Sequence, residues 1–322
     1  MKTRIGKLIK SSFKQTLFYS NLNNETNLSN NLGSYLAGLI EGEGSIIVPK
    51  TIRNQKGKLL YPKVKITFVE KDTSLAYKLI ELFKAGTIEH PQGTNYINLL
   101  FQDVNSIRKI AVLLNGRMRT PKIEALHRLI DWLNSRSKLK IDYNYINKLD
   151  LDNSNLNNNP WLSGFIEADG NFYCGFKIND KGIAAELKSY MRISQKRLYS
   201  NNSKIMTNKN SNFLIMVKIK EFLDIKKVTE IKRIKENYVE LSYEIRTIKK
   251  TSCEILTNYL YVYPLFSSKH QDFLSWCEFN KIRLSREYRS IEGTSKLKTI
   301  KNSMNTLRTQ FNWDSLNKFY SI

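Results

Sequence analysis

Leu36-Ala37-Gly38-Leu39-Ile40-Glu41-Gly42-Glu43-Gly44 recurs in the chain as Leu162-Ser163-Gly164-Phe165-Ile166-Glu167-Ala168-Asp169-Gly170. Five of the nine positions are identical, the seventh is small in both copies, the eighth is acidic in both, and an aromatic residue, Tyr35 or Trp161, precedes each. A repeat spaced by one small domain predicts two related units in one chain. The apolar residues at 36, 39 and 40 and at 162, 165 and 166 have the i, i+3, i+4 spacing of a helix face. Gly38 with Gly42, and Gly164 with Ala168, stand four apart, and small residues at that spacing let two backbones approach closely. The two motif helices are therefore expected to pack on each other through these four positions. Gly44 and Gly170 are expected to end them in a left-handed conformation. That leaves Glu43 and Asp169 in the last turns, at the negative end of the helix dipole.

Around the motifs the chain divides into a basic lead-in (1–30), a first repeat (31–140), an Asn-rich linker (141–158), a second repeat (159–292) and a basic C-terminal helix (293–322). After the first motif, 45–50 reads as a strand. Residues 63–69 alternate, with Val64, Ile66 and Phe68 on one face and Lys63, Lys65 and Thr67 on the other. A helix over 73–84, strands near 87–90 and 95–101 and helices near 104–114 and 121–134 follow. The second repeat sets Phe172, Cys174, Phe176 and Ile178 against Asn171, Tyr173 and Lys177 in its first strand. A strand over 187–195, a helix over 212–223, strands near 228–234 and 238–247 and helices near 251–261 and 268–288 complete it. The order αββαββα in each half predicts an α+β fold of two pseudo-symmetric repeats with a saddle-shaped antiparallel sheet surface.

Composition indicates the kind of partner. Lys plus Arg number 52 against 29 Asp plus Glu, a formal charge of +23, in a chain with 41% hydrophobic residues. That charge sits on a folded protein, which disfavours an acidic or neutral small-molecule enzyme and points to a polyanion. The three cysteines, Cys174, Cys253 and Cys277, form no Cys-x-x-Cys pair and suit a reducing compartment. No apolar run approaches the ~18 residues that span a bilayer, so no membrane partner is expected. The first twenty residues carry five lysines and arginines and no acid, and resemble an organellar presequence. The abundance of Asn, Ile, Lys and Tyr, all specified by AT-rich codons, suits an organellar genome. His90, His127 and His270 form no close pair and are read as surface or helix residues.

If a pseudo-twofold axis relates the motif helices, Glu43 and Asp169 face each other and repel, and the pair needs a cation. Oxygen-only ligands of this kind suit Mg²⁺, kept partly hydrated and completed by substrate phosphates. The bland alternative is a packing module whose acids are solvated helix ends; two copies beside a basic sheet face weigh against it. Glu41 and Glu167 fall earlier on the helices and read as structural, capping or bridging to the partner half.

The two nonapeptides resemble the LAGLIDADG motif, and residues 31–290 are similar to a single-chain, two-motif LAGLIDADG homing endonuclease. The resemblance implies a monomer with internal pseudo-twofold symmetry, intron-encoded and mitochondrial, whose sheets straddle the major groove of double-stranded DNA. It also implies that the last acid of each motif, here Glu43 and Asp169, holds divalent metal at the scissile phosphates. The first copy has Glu where the family has Asp. A lysine near each active site is implied, matched by Lys122 and Lys269, which stand in comparable contexts just before a C-terminal helix of each repeat. A polar residue that orders water is implied at the end of the second strand, matched by Glu70 and Gln195.

DNA readout falls to the polar strand faces: Lys63, Lys65, Thr67, Tyr96 and Asn98 in the first half, and Asn171, Tyr173, Lys177, Tyr190, Arg192 and Ser194 in the second. These supply the donors and acceptors that a major groove requires, while other Lys and Arg contact phosphates. Two rivals share the scaffold: an RNA maturase that assists intron splicing and a catalytically inactive DNA-binding module. Retention of both motif acids favours cleavage.

Overall fold

The computed structural model describes residues 30–137, 145–199, 211–236 and 238–320. The presequence-like segment at 1–29 lies outside these residues. The first motif lies in helix α1 (30–43) and the second in α5 (Trp161–Asp169). Each helix runs into a strand with no loop between. In the first repeat α1 is followed by β1 (Gly44–Ile47), β2 (Lys63–Val69), α2 (Thr73–Phe83), β3 (Thr87–Glu89), β4 (Tyr96–Phe101), α3 (Val104–Leu114) and α4 (Ile123–Ser137). In the second, α5 is followed by β5 (Gly170–Ile178), β6 (Ala184–Lys196), α6 (Phe213–Phe222), β7 (Thr229–Ile234), β8 (Val239–Arg246), α7 (Lys250–Val262) and α8 (Ser268–Ser285). The expected αββαββα order is present twice, each time closed by one further helix.

Each repeat builds a four-stranded antiparallel sheet, ordered β1-β2-β4-β3 and β5-β6-β8-β7. Period-two alternation sets the faces. In β2, Val64, Ile66 and Phe68 are buried, and register places them opposite Phe101, Leu99 and Ile97 of β4 on the core side. Lys63, Lys65 and Thr67 point the other way. In β6, Ser189, Met191 and Ile193 take the core side, and Tyr190, Arg192 and Ser194 the polar side. Gly44 pairs with Ile66 and Gly170 with Ile193, so the two sheets can be superposed position by position.

One hydrophobic cluster runs through both repeats and includes the motif helices, with Tyr35, Trp161, Phe165 and Trp276 almost fully buried. The helices cross at their small residues. A Cβ added at Gly38 would lie 2.0 Å from the Trp161 carbonyl oxygen, one at Gly164 would lie 1.9 Å from that of Tyr35, and one at Gly42 would lie 2.2 Å from the Ala168 Cβ. The structure brings Gly38, Gly42, Gly164 and Ala168 together at this crossing. Gly44 and Gly170 are not left-handed, contrary to the sequence expectation: Gly170 has φ −74°, and Gly44 is not among the positive-φ residues. A side chain there would strike Ile40 or Ile166 one turn back, at 2.6 Å, as the chain turns from helix into strand.

The linker is tied along the first repeat. Arg119 forks onto Asp152 and Ser154, and Asn134 holds both backbone groups of Ile146. The C-terminal segment was expected as one helix, but only α9 (Ile291–Asn302) is helical in that sense. Residues 303–320 run back across the molecule in irregular chain with short 3₁₀ turns, because their side chains find separate partners. Asn305, at φ 55°, donates its N–H to Asp272 and accepts from Lys71 of the first repeat; Arg308 also grips Asp272. Phe319 and Tyr320 set their rings against Tyr35 and Phe266 at 4.7–5.6 Å. No helix among the described residues is long and apolar enough to cross a membrane.

Candidate active site

The motif helices end together. Glu43, Asp169 and Lys122 line one cavity of about 590 Å³, and its wall also includes residues of both sheets, among them Lys65, Thr67, Ser194 and Gln195. The acids therefore lie where the polar faces of the two repeats meet.

A helix leaves its last carbonyls without internal partners, and here lysines satisfy them. Lys122 Nζ donates to the carbonyls of Ile40, Glu41 and Gly44, each at 2.8 Å. Lys269 Nζ donates to those of Glu167 at 2.7 Å and Ala168 at 2.6 Å. A cation at a helix C-terminus is favourable, and both ammonium groups also stand close enough to the acids to interact with Asp169 and Glu43. Burial pushes both lysines below their usual range; Glu41 for Lys122 and Glu167 for Lys269 oppose that most strongly.

Glu41 and Glu167 tie each lysine-bearing loop to the opposite repeat. Glu41 accepts from the backbone N–H of Arg119 (2.9 Å) and Thr120 (2.5 Å) and from the Trp161 indole (2.6 Å). Glu167 accepts from the backbone of Phe266 (2.6 Å) and Ser267 (3.0 Å) and from the Tyr35 hydroxyl (2.9 Å). Burial raises both carboxyls, and these donors pull them back. The aromatic residue preceding each motif was the signal for this cross-bracing. A further bond between the repeats, Ser268 N–H to the buried Asp72 carboxylate at 2.8 Å, had no sequence signature. Glu167→Gln is expected to set an amide N–H against one of three buried donors and cost ~1–3 kcal/mol, with Tyr35→Phe costing less; urea unfolding checks the order.

The two acids are not equivalent. Asp169 accepts a hydrogen bond from Gln195 Nε2, and burial followed by the charge of Glu43 pushes its carboxyl up to about 7. Glu43 is exposed. By sheet register the position matching Gln195 is Phe68, which faces the core. Glu70 lies exposed in the turn beyond β2 and does not line the cavity, so the structure brings Gln195 but not Glu70 to the acids. The sequence match failed because Glu70 stands two positions beyond the register-equivalent Phe68.

The polar faces carry the expected readout residues with differing freedom. Lys63, Lys65 and Tyr96 stand on the open face of the first sheet, whereas Thr67 donates to Asn98, which is buried. In the second, Tyr173 stacks on Tyr190, Lys177 pairs with Glu186, and Asn171 donates to Asn305 of the C-terminal tail. Among the described residues no three His, Cys, Asp or Glu side chains cluster to hold an ion. His127 meets the Leu149 carbonyl. The acids at the helix ends thus form an oxygen-only pair, one of them raised by burial and then by its neighbour's charge. That chemistry fits a hard divalent cation completed by water and phosphate oxygens.

A family model described as LAGLIDADG endonuclease matches residues 36–133 and 162–280, and the chain belongs to that family. It is 29% identical over 318 residues to the intron-encoded DNA endonuclease aI3 of Saccharomyces cerevisiae, over 92% of this chain and 76% of that protein. It is 26% identical to an uncharacterized cox1 intron-2 37.2 kDa protein of Schizosaccharomyces pombe, over 83% and 70% of the two chains. The fold matches the LAGLIDADG meganuclease I-AabMI, solved bound to uncleaved DNA, with a TM-score of 0.59 at 19% identity, covering 85% of this chain and 99% of that one.

Proposed function

We propose that this chain binds a long, nearly non-palindromic DNA duplex as a monomer and hydrolyses one phosphodiester in each strand with the help of Mg²⁺. The observation that carries the reading is the convergence of Glu43, Asp169 and Lys122 in one cavity walled by the polar faces of both sheets. Glu43 and Asp169 would hold the cation. When bound, it supplies Lewis-acid stabilisation of charge developing on the phosphoryl oxygens. Gln195 fixes one oxygen of Asp169, and Lys122 and Lys269 hold the helix ends and keep positive charge beside the reacting phosphates. The sheets orient the duplex: Lys63, Lys65, Thr67, Tyr96 and Asn98 on one side, Asn171, Tyr173, Lys177, Tyr190, Arg192 and Ser194 on the other. Likeness to the cox1 intron protein and the codon-biased composition support a mitochondrial, intron-encoded origin.

The test is cleavage of a randomised duplex library with and without Mg²⁺, in parallel with binding to structured intron RNA. Metal-dependent cutting of one duplex sequence is expected. Tight RNA binding with no duplex cut in Mg²⁺ or Mn²⁺ would favour the maturase, since the deep major groove of A-form RNA cannot be read by such sheets. Affinity for duplex should fall with salt at a log–log slope of several units, as phosphate neutralisation requires; fluorescence anisotropy between 50 and ~200 mM salt measures it, and a flat response counts against DNA as the main partner.

A further inference from the structure

On the polar face of the second sheet, Arg192 of β6 stands directly across from Arg246 of β8. Two like charges in register repel, and a carboxylate between them removes the conflict. Glu244, only 3% exposed although it points to the open face, receives Arg246 Nε at 2.8 Å and Nη2 at 2.7 Å on one oxygen, and lies 3.8 Å from Arg192 Nη1 through the other. The Arg246 guanidinium also lies 4.9 Å over the ring of Tyr190, which is itself stacked on Tyr173 at 4.8 Å. Arg246 is thus fixed along one edge and one face. Its side-on edge is spent on Glu244, and its end-on edge, with parallel N–H groups from Nη1 and Nη2, meets no partner among the described residues and remains for a ligand. It borders a recess of about 300 Å³ whose walls include Lys226, Lys227 and Lys249.

A rigid, outward fork of two parallel donors on a face that meets a duplex matches the O6 and N7 acceptors of guanine in the major groove. We propose that Arg246 reads a guanine in the half-site contacted by the second repeat, and that Glu244 is a positioning residue that holds the fork in the plane of the base. This rests on the reading of the chain as a DNA-binding endonuclease. The first repeat has no such device: by register its counterparts of Arg192, Arg246 and Glu244 are Lys65, Leu100 and Asn98. The two half-sites therefore differ at the symmetry-related position, which makes the whole site non-palindromic there.

Base preferences at every position of the selected duplex, measured by competition binding for the wild type, Arg246→Ala and Glu244→Gln, test the proposal. The wild type should show one guanine preference that Arg246→Ala erases, with roughly 5- to 150-fold loss on the cognate duplex. Preferences elsewhere should persist, which also shows that the variant is folded. Glu244→Gln should weaken the same preference without altering the salt slope. If Arg246→Ala leaves every base preference intact, the assignment of Arg246 is wrong while the endonuclease reading stands. If the wild type binds no duplex selectively, the endonuclease reading itself fails, and the guanine assignment with it.

Discussion

Gly164→Leu is expected to prevent stable folding, and Gly38→Leu to do the same. Overpacking a core commonly costs ~1–3 kcal/mol because neighbouring side chains can shift. Here the obstacle is backbone: even a Cβ would fall 1.9 Å from the Tyr35 carbonyl oxygen, or 2.0 Å from that of Trp161. Two helices buried in the shared core would have to separate, which also pulls the Tyr35 hydroxyl from Glu167 and the Trp161 indole from Glu41. The cost should exceed ~3 kcal/mol, seen as loss of soluble protein or a large drop in thermal midpoint. Val112→Leu, on an exposed helix position, is the control and should change little. A normal midpoint for Gly164→Leu would mean that the motif helices do not cross at these residues in solution.

Asp169→Asn should abolish duplex cleavage while leaving binding near wild type, because the side chain keeps its shape and loses the charge that would hold a cation. The same substitution should also have a pH signature in the metal-free protein. The Asp169 carboxyl lies at about 7 in the fold against an ordinary 3.8. A carboxyl raised on folding costs stability, the cost growing as pH rises from the lower value to the upper and levelling off above it. At most it reaches about 4 kcal/mol. Asparagine removes this cost, so Asp169→Asn should stabilise the metal-free protein more at pH 8 than at pH 5, and Mg²⁺ should close the gap by stabilising only the wild type. Thermal scans at both pH values, with and without Mg²⁺, check this. Full cleavage by the variant would remove Asp169 from the catalytic machinery.

The helix pairing, the two-sheet plan and the acids at the helix ends were readable because each is a local pattern that occurs twice. The glycines at i and i+4 announced a close crossing, and Val64, Ile66 and Phe68 against Lys63, Lys65 and Thr67 announced the two faces of β2. What stayed hidden depends on register between distant strands. Glu70 matched Gln195 by its place at the end of the second strand, yet pairing with β1 puts Phe68 in that place. Arg246 and Glu244 look like ordinary strand charges until β8 is laid beside β6. Residues 303–320 carried no periodicity to follow, since Asn305, Arg308, Phe319 and Tyr320 each answer to a partner far away in the chain.

That tail has a kinetic consequence. Tyr35 is among the first described residues to leave the ribosome, and Phe319 and Tyr320, whose rings cover it, are among the last. The first motif helix therefore cannot acquire its final covering until the chain has been synthesised through Tyr320. Contacts so distant in sequence form slowly. Until Phe319 and Tyr320 have been synthesised, the sides of the Tyr35 ring that they cover stay open.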